Sequence, residues 1–395
     1  MSRPIPYGRH CVDEDDVQAV ADVLRHGWLT QGPKVQEFET AIAEYVGAKY
    51  AVAVSNGTAA LHIACIAAGI SSGDRVITSA NSFVASANCI RYTGGTPEFA
   101  DIEHGTLNLD PGYLRGLCRG KPAPKAIIPV HFGGLPCNMA EIAAVAADTG
   151  ACVIEDAAHA IGGRYQTGER VGNCAYSDMT VFSFHPVKNI ACGEGGMVTT
   201  NRQSLYRHLL RLRGHGINKG DDPLQHPQYA GNYEGKVDRW YYEMQELGFN
   251  FRLTDMQAAL GLSQYRKLER FLERRHQLAA VYCEAFGNGS LGIRVAQTGG
   301  WGVSARHLFV VRIAFGEGRS SRTAYMHRLL ERGYTTQVHY IPIPMHPYYA
   351  RLGYTLERLP ETREYYREAL SIPLFVGLTD EQQRRFISDA VECLA

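Results

Sequence analysis

At 395 residues, 45% hydrophobic and 20% charged, the chain is long enough for two packed cores and is not a disordered sequence. Its 40 basic and 40 acidic residues cancel, and no long basic run interrupts them, which argues against a nucleic-acid binder. No apolar run reaches a membrane span, MSRPIPYGRH lacks an apolar secretion segment, and 10 scattered cysteines form no C-x-x-C pair; a reduced, cytoplasmic protein without a metal site is expected.

In chain order, residues 13–26 read as a helix that Asp13 can cap, with Val17, Val20 and Leu24 on one apolar face and Gly27 as its end. The loop GWLTQGP follows, then a helix over 35–46 closed by Gly47. YAVAV, residues 50–54, is a buried strand that breaks at Ser55-Asn56-Gly57-Thr58 into a helix of small residues. A strand, tight turn and helix point backbone N–H groups at an anion. RVIT at 75–78, AIIPV at 126–130, CVIED at 152–156, TVFSF at 180–184 and MVTT at 197–200 are further strands. Helices are expected over 82–92, 140–149 and 203–213. Strands alternating with helices imply an α/β fold with a mainly parallel sheet covered on both faces. Ligands then sit beyond the carboxyl ends of the strands, where Ser55 to Thr58, Asp156, Ser183 and Lys188 fall. Residues 214–247 form a long polar loop. The run from Leu253 to Phe286 reads as one long amphipathic helix that Thr254 or a neighbour starts, and the rest mixes short strands with helices. The expected division is a large α/β domain over 1–247 and a smaller α+β domain over 248–395.

The chemistry concentrates at SFHPVKNIACGEGG, residues 183–196. Proline ends a strand here, Lys188 follows, and glycines leave room for a close approach. A solvated turn would explain these residues blandly; a desolvated lysine with a lowered pKa would be a nucleophile. Asp156 ends a neighbouring strand, and with Lys188 it could make an ion pair or serve pyridoxal phosphate (PLP), the lysine bonding to the aldehyde and the aspartate holding the ring nitrogen protonated. Gly57, Thr58, Ala59 and Ser183 could donate to the phosphate, and Phe83 could cover the ring. Taken alone, Phe83 and His159 are more often core residues.

The set SNGTAALHIA, NSFVASANCI, VIEDAAHAIGG, FSFHPVKNIACGEGGMVTTN and GFNFRLTDMQAALG resembles the sugar-nucleotide aminotransferases of the DegT/DnrJ/EryC1/StrS family, essentially end to end from Tyr7. GWLTQGPKV, WYYEMQELGFNFRLTDMQAALGLSQ and TTQVHYIPI are most similar to the branch of the pseudaminic acid pathway, which converts UDP-4-keto-6-deoxy-N-acetyl-β-L-altrosamine into its 4-amino sugar with L-glutamate as donor. The resemblance implies a fold-type-I PLP enzyme. Lys188 would bind the cofactor covalently and shuttle protons, and Asp156 would pair with the ring nitrogen. Thr58, Ala59 and Ser183 would hold the phosphate, Phe83 would stack on the ring, and His159 would lie at the cofactor. It also implies a homodimer whose sites are shared, Asn250 reaching the partner's phosphate. Tyr7, Gly27, Trp28, Leu29, Thr30, Gly57, Ser183, Asn250, Gln337, Val338, His339 and Tyr340 would contact the nucleotide-sugar, with Trp28 standing at a position of mixed residue type. The rival readings are a dehydratase, whose relatives lack the lysine, a PLP-binding regulator, which would carry a DNA-binding module, and an aminotransferase for another nucleotide-linked 4-keto or 3-keto sugar.

Overall fold

The computed structural model describes residues 4–218, 222–231, 234, 236–316 and 320–394. Its main sheet contains β1 (Tyr50–Val54), β2 (Arg75–Ser79), β3 (Thr96–Ala100), β4 (Ala126–Ile128), β5 (Cys152–Asp156), β7 (Met179–Ser183) and β8 (Gly196–Thr200); β6 (Arg164–Tyr165) lies outside it. The order across the sheet is β1-β8-β7-β5-β4-β2-β3. β8 runs antiparallel to both its neighbours and the remaining pairings are parallel.

These strands are apolar on both sides because both sheet faces are covered. Phe182 faces one core with Phe38, Ile42 and Ile142, whereas its neighbour Val181 faces another with Val54, Ile63, Val198 and Leu209. Helix Gly57–Ala67 lies on the second face, and its run of alanines lets it approach the strands closely. In the C-terminal part, β9 (Ile293–Val295), β11 (Phe309–Ile313) and β12 (Ala369–Ile372) form a three-stranded antiparallel sheet, and β10 (Gly302–Val303) pairs with β6. A separate core of Tyr282, Phe309, Tyr325, Leu329 and Phe386 packs there.

The sequence expectation is corrected at several elements. The run from Leu253 is not one helix but two, Asp255–Tyr265 and Leu268–Phe286, with a turn at Arg266 and Lys267. Lys267 turns aside to pair with Asp13 at 2.5 Å and Asp16 at 2.7 Å, so the first helix docks on the N-terminal helices. Leu253, Ala258, Leu268, Phe271 and Leu272 join the main core, and the second core takes over at Leu278. The main core thus extends past residue 247. In helix Glu14–His26 the inward residues are Asp16 and Val23, while Val17 and Leu24 are exposed, because the inward face is set by Asp16 gripping Lys267 and Gln264. The helix expected from residue 82 begins at Ala85, since Ser82 and Phe83 belong to the wall of a cavity. Strand β3 was not visible in the sequence pattern, as Pro97 and Glu98 interrupt its apolar alternation. Within the polar stretch 214–247, Gly214 bridges to Asn250 and Ile217 to Met244. Residues 219–221, 232, 233 and 235 of that loop lie outside the described residues. No helix among the described residues is long and apolar enough to cross a membrane.

Candidate active site

A cavity of about 900 Å³ opens at the carboxyl edge of the main sheet. Asp156 at the end of β5, Ser183 at the end of β7 and Lys188 in the turn beyond it all line it. Lys188 is held in that turn by its own N–H, which donates to the His185 carbonyl at 2.8 Å. Its amine makes no hydrogen bond or ion pair among the described residues, and burial pushes its pKa down to about 8 against the pull of Asp156. Such an amine loses its proton readily and becomes nucleophilic near neutral pH.

The Asp156 carboxylate is aimed by neutral donors. Ser86 Oγ donates to Oδ2 at 2.6 Å, itself linked to Ser82 Oγ at 2.7 Å, and the Ala158 N–H donates to Oδ1 at 3.2 Å. No cation pairs with it among the described residues, so a positively charged ring nitrogen would find an unopposed partner there.

The turn after β1 supplies the anion-binding wall. Asn56 caps helix Gly57–Ala67, and its Oδ1 accepts the Ala59 N–H at 2.8 Å. The N–H groups of Gly57 and Thr58 stand in the first turn, where no intrahelical acceptor exists. A Cβ on Gly196 would lie 2.3 Å from the Asn56 carbonyl, and one on Gly57 would lie 3.0 Å from Ser183 Cβ. Only glycines allow β8, the cap and the Ser183 hydroxyl to converge so closely. The donor set fits the phosphate of PLP with one correction: the Ala59 N–H, expected at the phosphate, is already taken by Asn56.

The opposite wall is aromatic and uncharged. Phe83 is half exposed to the cavity, 6.1 Å between ring centroids from Tyr340. His159 accepts the Gly133 N–H on Nδ1 at 3.3 Å, which leaves its proton on Nε2, 3.0 Å from Tyr340 Oη. Its ring packs on His307 with centroids 4.4 Å apart. Burial and the nearby Lys188 hold His159 and His307 well below the ordinary histidine pKa, and the same two causes lower His339 to about 3. Tyr340 is pushed up by burial and then by Asp156, so its hydroxyl keeps its proton.

Of the residues singled out in the sequence, Tyr7, Gly57, Thr58, Ala59, Phe83, Asp156, His159, Ser183, Lys188, Gln337, Val338, His339 and Tyr340 line this one cavity. Gly27, Trp28, Leu29, Thr30 and Asn250 do not. Their loop is tied elsewhere: Thr30 bridges to Thr254, the Leu29 carbonyl accepts the Asp255 N–H, and the Asp255 carboxylate accepts the N–H groups of Gly32 and Lys34. Asn250 is exposed, and the cap of the next helix is Thr254, whose hydroxyl accepts the Gln257 N–H at 3.3 Å. Three features go beyond the sequence expectation: the capping role of Asn56, whose turn was expected at the ligand edge of the sheet, and the side chains of Ser86 and His307. An asparagine just before a run of helix formers signals the first, whereas nothing local marks the other two.

Residues 10–391 match the sequence profile of the DegT/DnrJ/EryC1/StrS aminotransferase family. Among curated relatives, the spore coat polysaccharide biosynthesis protein SpsC of Bacillus subtilis is 39% identical over 392 residues, 99% of this chain and 96% of its own. Among solved structures, PseC of Helicobacter pylori, an aminotransferase involved in the biosynthesis of pseudoaminic acid, superposes with a TM-score of 0.86 at 28% identity and covers 99% of both chains. The PLP form of the putative sugar aminotransferase Spr1654 of Streptococcus pneumoniae gives a TM-score of 0.86 at 28% identity, over 99% of this chain and 100% of its own.

Proposed function

The chain belongs to the DegT/DnrJ/EryC1/StrS aminotransferase family, and from that premise we propose that it moves an amino group from L-glutamate to C4 of a UDP-linked 4-keto-6-deoxy-N-acetylhexosamine in pseudaminic acid biosynthesis. Membership makes it a PLP-dependent sugar aminotransferase of fold type I. The donor, the acceptor, the cytoplasmic location and the dimer are our reading. The observation that carries the site assignment is the unpaired Lys188 amine, its pKa near 8, in one cavity with Asp156.

When bound, PLP supplies an aldehyde that receives the amine and a ring that accepts electrons from the carbon losing a proton. Lys188 would hold the cofactor, and its Nζ, unpaired in the cavity, would take and return the proton in each half of the exchange. Asp156 would keep the ring nitrogen protonated. Gly57, Thr58 and Ser183 would hold the phosphate. Phe83 would cover the ring and His159 would lie near the cofactor. Tyr7, Gln337, Val338, His339 and Tyr340 orient the sugar. Neutral histidines and a protonated tyrosine give that wall donors and acceptors without net charge, as suits an uncharged hexosamine.

A second reading is a different keto-sugar acceptor in polysaccharide assembly. The higher identity to SpsC, 39% against 28% for PseC, favours it. Turnover of a panel of UDP-, dTDP- and GDP-linked 3-keto and 4-keto sugars, with the amine position read by NMR, separates the two. Conversion of the altrosamine substrate at C4 above all others is expected. Conversion of only another sugar would replace the first reading with the second.

A further inference from the structure

On the face of β5 opposite Asp156 lies a carboxylate that the reaction above does not use. Glu155 has no exposed side-chain surface, yet it accepts four hydrogen bonds: His131 Nε2 at 2.7 Å, Tyr165 Oη at 2.7 Å, Ser177 Oγ at 2.5 Å and Thr180 Oγ1 at 3.0 Å. Burial alone would favour the protonated acid, but bonds from His131, Ser177 and Tyr165 overcome it and hold the carboxyl below its ordinary range. His131 Nδ1 accepts the Cys137 N–H at 3.1 Å, so the ring proton sits on Nε2 and is given to Glu155.

The segment that carries His131 also meets the end of β5 through the main chain. The Asp156 N–H donates to the Pro129 carbonyl at 2.8 Å, and the His131 N–H donates to the Asp156 carbonyl at 3.1 Å. Segment 129–131 therefore grips the last two residues of β5 twice, by backbone at Asp156 and by side chain at Glu155. An apolar pair could fill this space without burying a charge, which is costly to keep even when satisfied. What a fixed charge and a directional bond add is a defined position for the strand end, and the strand end carries Asp156.

We propose that Glu155 is a positioning residue: clamped by His131, it fixes the end of β5 so that the Asp156 carboxylate stays on the ring nitrogen of the cofactor. This rests on the reading that Asp156 faces that nitrogen. A residue behind a ligand-holding carboxylate acts by orienting it, as outer-shell partners do at metal sites.

The test reconstitutes the full-length apoprotein with PLP carrying 15N in the ring and records the nitrogen chemical shift, which reports protonation directly, together with the dissociation constant for PLP. Asp156→Asn should move the shift strongly toward unprotonated pyridine. Glu155→Gln and His131→Gln should move it part of the way in the same direction and weaken PLP binding about tenfold, the lower end for loss of an orienting partner. Tyr165→Phe, which removes one donor and leaves both the charge and the clamp, should keep the wild-type shift. If Asp156→Asn moves the shift but Glu155→Gln and His131→Gln do not, the positioning role is wrong and the Asp156 reading stands. If Tyr165→Phe matches Glu155→Gln, the network is only structural and the proposal fails. If Asp156→Asn leaves the shift unchanged, the reading beneath it fails first. Should Glu155→Gln not fold, His131→Gln decides the matter alone.

Discussion

Lys188 is charged only at a cost in its own cavity, and that cost can be measured without any ligand. Its folded pKa of about 8 lies below the unfolded value of 10.5. The unfolded chain therefore binds more protons between those values, and stability rises with pH across that window. Below pH 8 both states carry the charge and the penalty is fully present. Lys188→Met apoprotein should be more stable than wild type at pH 7 by on the order of 2 kcal/mol, after allowing for relaxation around the site. The advantage should fade between about pH 8 and 10.5, as followed by urea unfolding at a series of pH values. An advantage that stayed constant with pH would mean that the amine is not desolvated. In the loaded enzyme, borohydride reduction and peptide mapping should place the pyridoxyl group on Lys188; finding it on Lys34 would sink the assignment. His339, with a folded pKa near 3, works in the opposite pH range. The unfolded chain takes up its proton below about 6.5 while the folded chain does not, so stability is lost as the pH falls through that window. His339→Gln should flatten the acid limb of the stability curve by up to one proton, measured in the same series.

At the scale of elements, the break between helices Asp255–Tyr265 and Leu268–Phe286 depends on charge and not on a helix breaker. Lys267 lies between Asp13 and Asp16, and Asp16 is buried and also accepts from Gln264 Nε2 at 2.7 Å. Lys267→Met would strand a buried carboxylate and should cost about 3 kcal/mol, the scale for removing one partner of a buried pair. A midpoint shift in urea without a change of slope would register it; a loss under 1 kcal/mol would show that Asp16 is satisfied by its neighbours. The same break shows where sequence reading runs out. The alternating strands, the glycine-rich turn after β7 and the small-residue helix were legible because each depends on local period and on glycine or proline. So was the gathering of Asp156, Ser183 and Lys188, since parallel strands put their carboxyl ends together. The helix break was not legible, because neither Arg266 nor Lys267 is a breaker and the cause lies some 250 positions away, at Asp13 and Asp16. The inward face of helix Glu14–His26 misled for the same reason: a buried aspartate took the place that apolar spacing gave to Val17.

For the whole molecule, the five expected site residues that miss the cavity are as informative as those that line it. Gly27, Trp28, Leu29, Thr30 and Asn250 lie on exposed surface, with Trp28 at 70% exposure. Were two copies related by a two-fold axis, each could lend this set to the other's cavity. Lys188→Ala should be inactive, and a bulky Asn250→Trp nearly so. Co-expressed, they should form hybrids with one doubly damaged and one intact site, restoring up to about half of wild-type activity per hybrid if the sites are independent. Hybrids that assemble without activity would assign Asn250 to its own subunit. Within one chain, however, the two cores have little freedom to move apart. Helix Leu268–Phe286 contributes Leu268, Phe271 and Leu272 to one and Leu278, Tyr282 and Phe286 to the other. From its middle, Arg275, buried and without a carboxylate partner among the described residues, donates to the carbonyls of Arg306, His307 and Leu374, and the Leu374 N–H donates to the Tyr7 carbonyl. This helix is a strut, not a hinge. The enzyme should therefore admit its sugar substrate as a socket admits a plug, through a mouth that keeps its width, and small-angle scattering should record the same envelope before and after the substrate is seated.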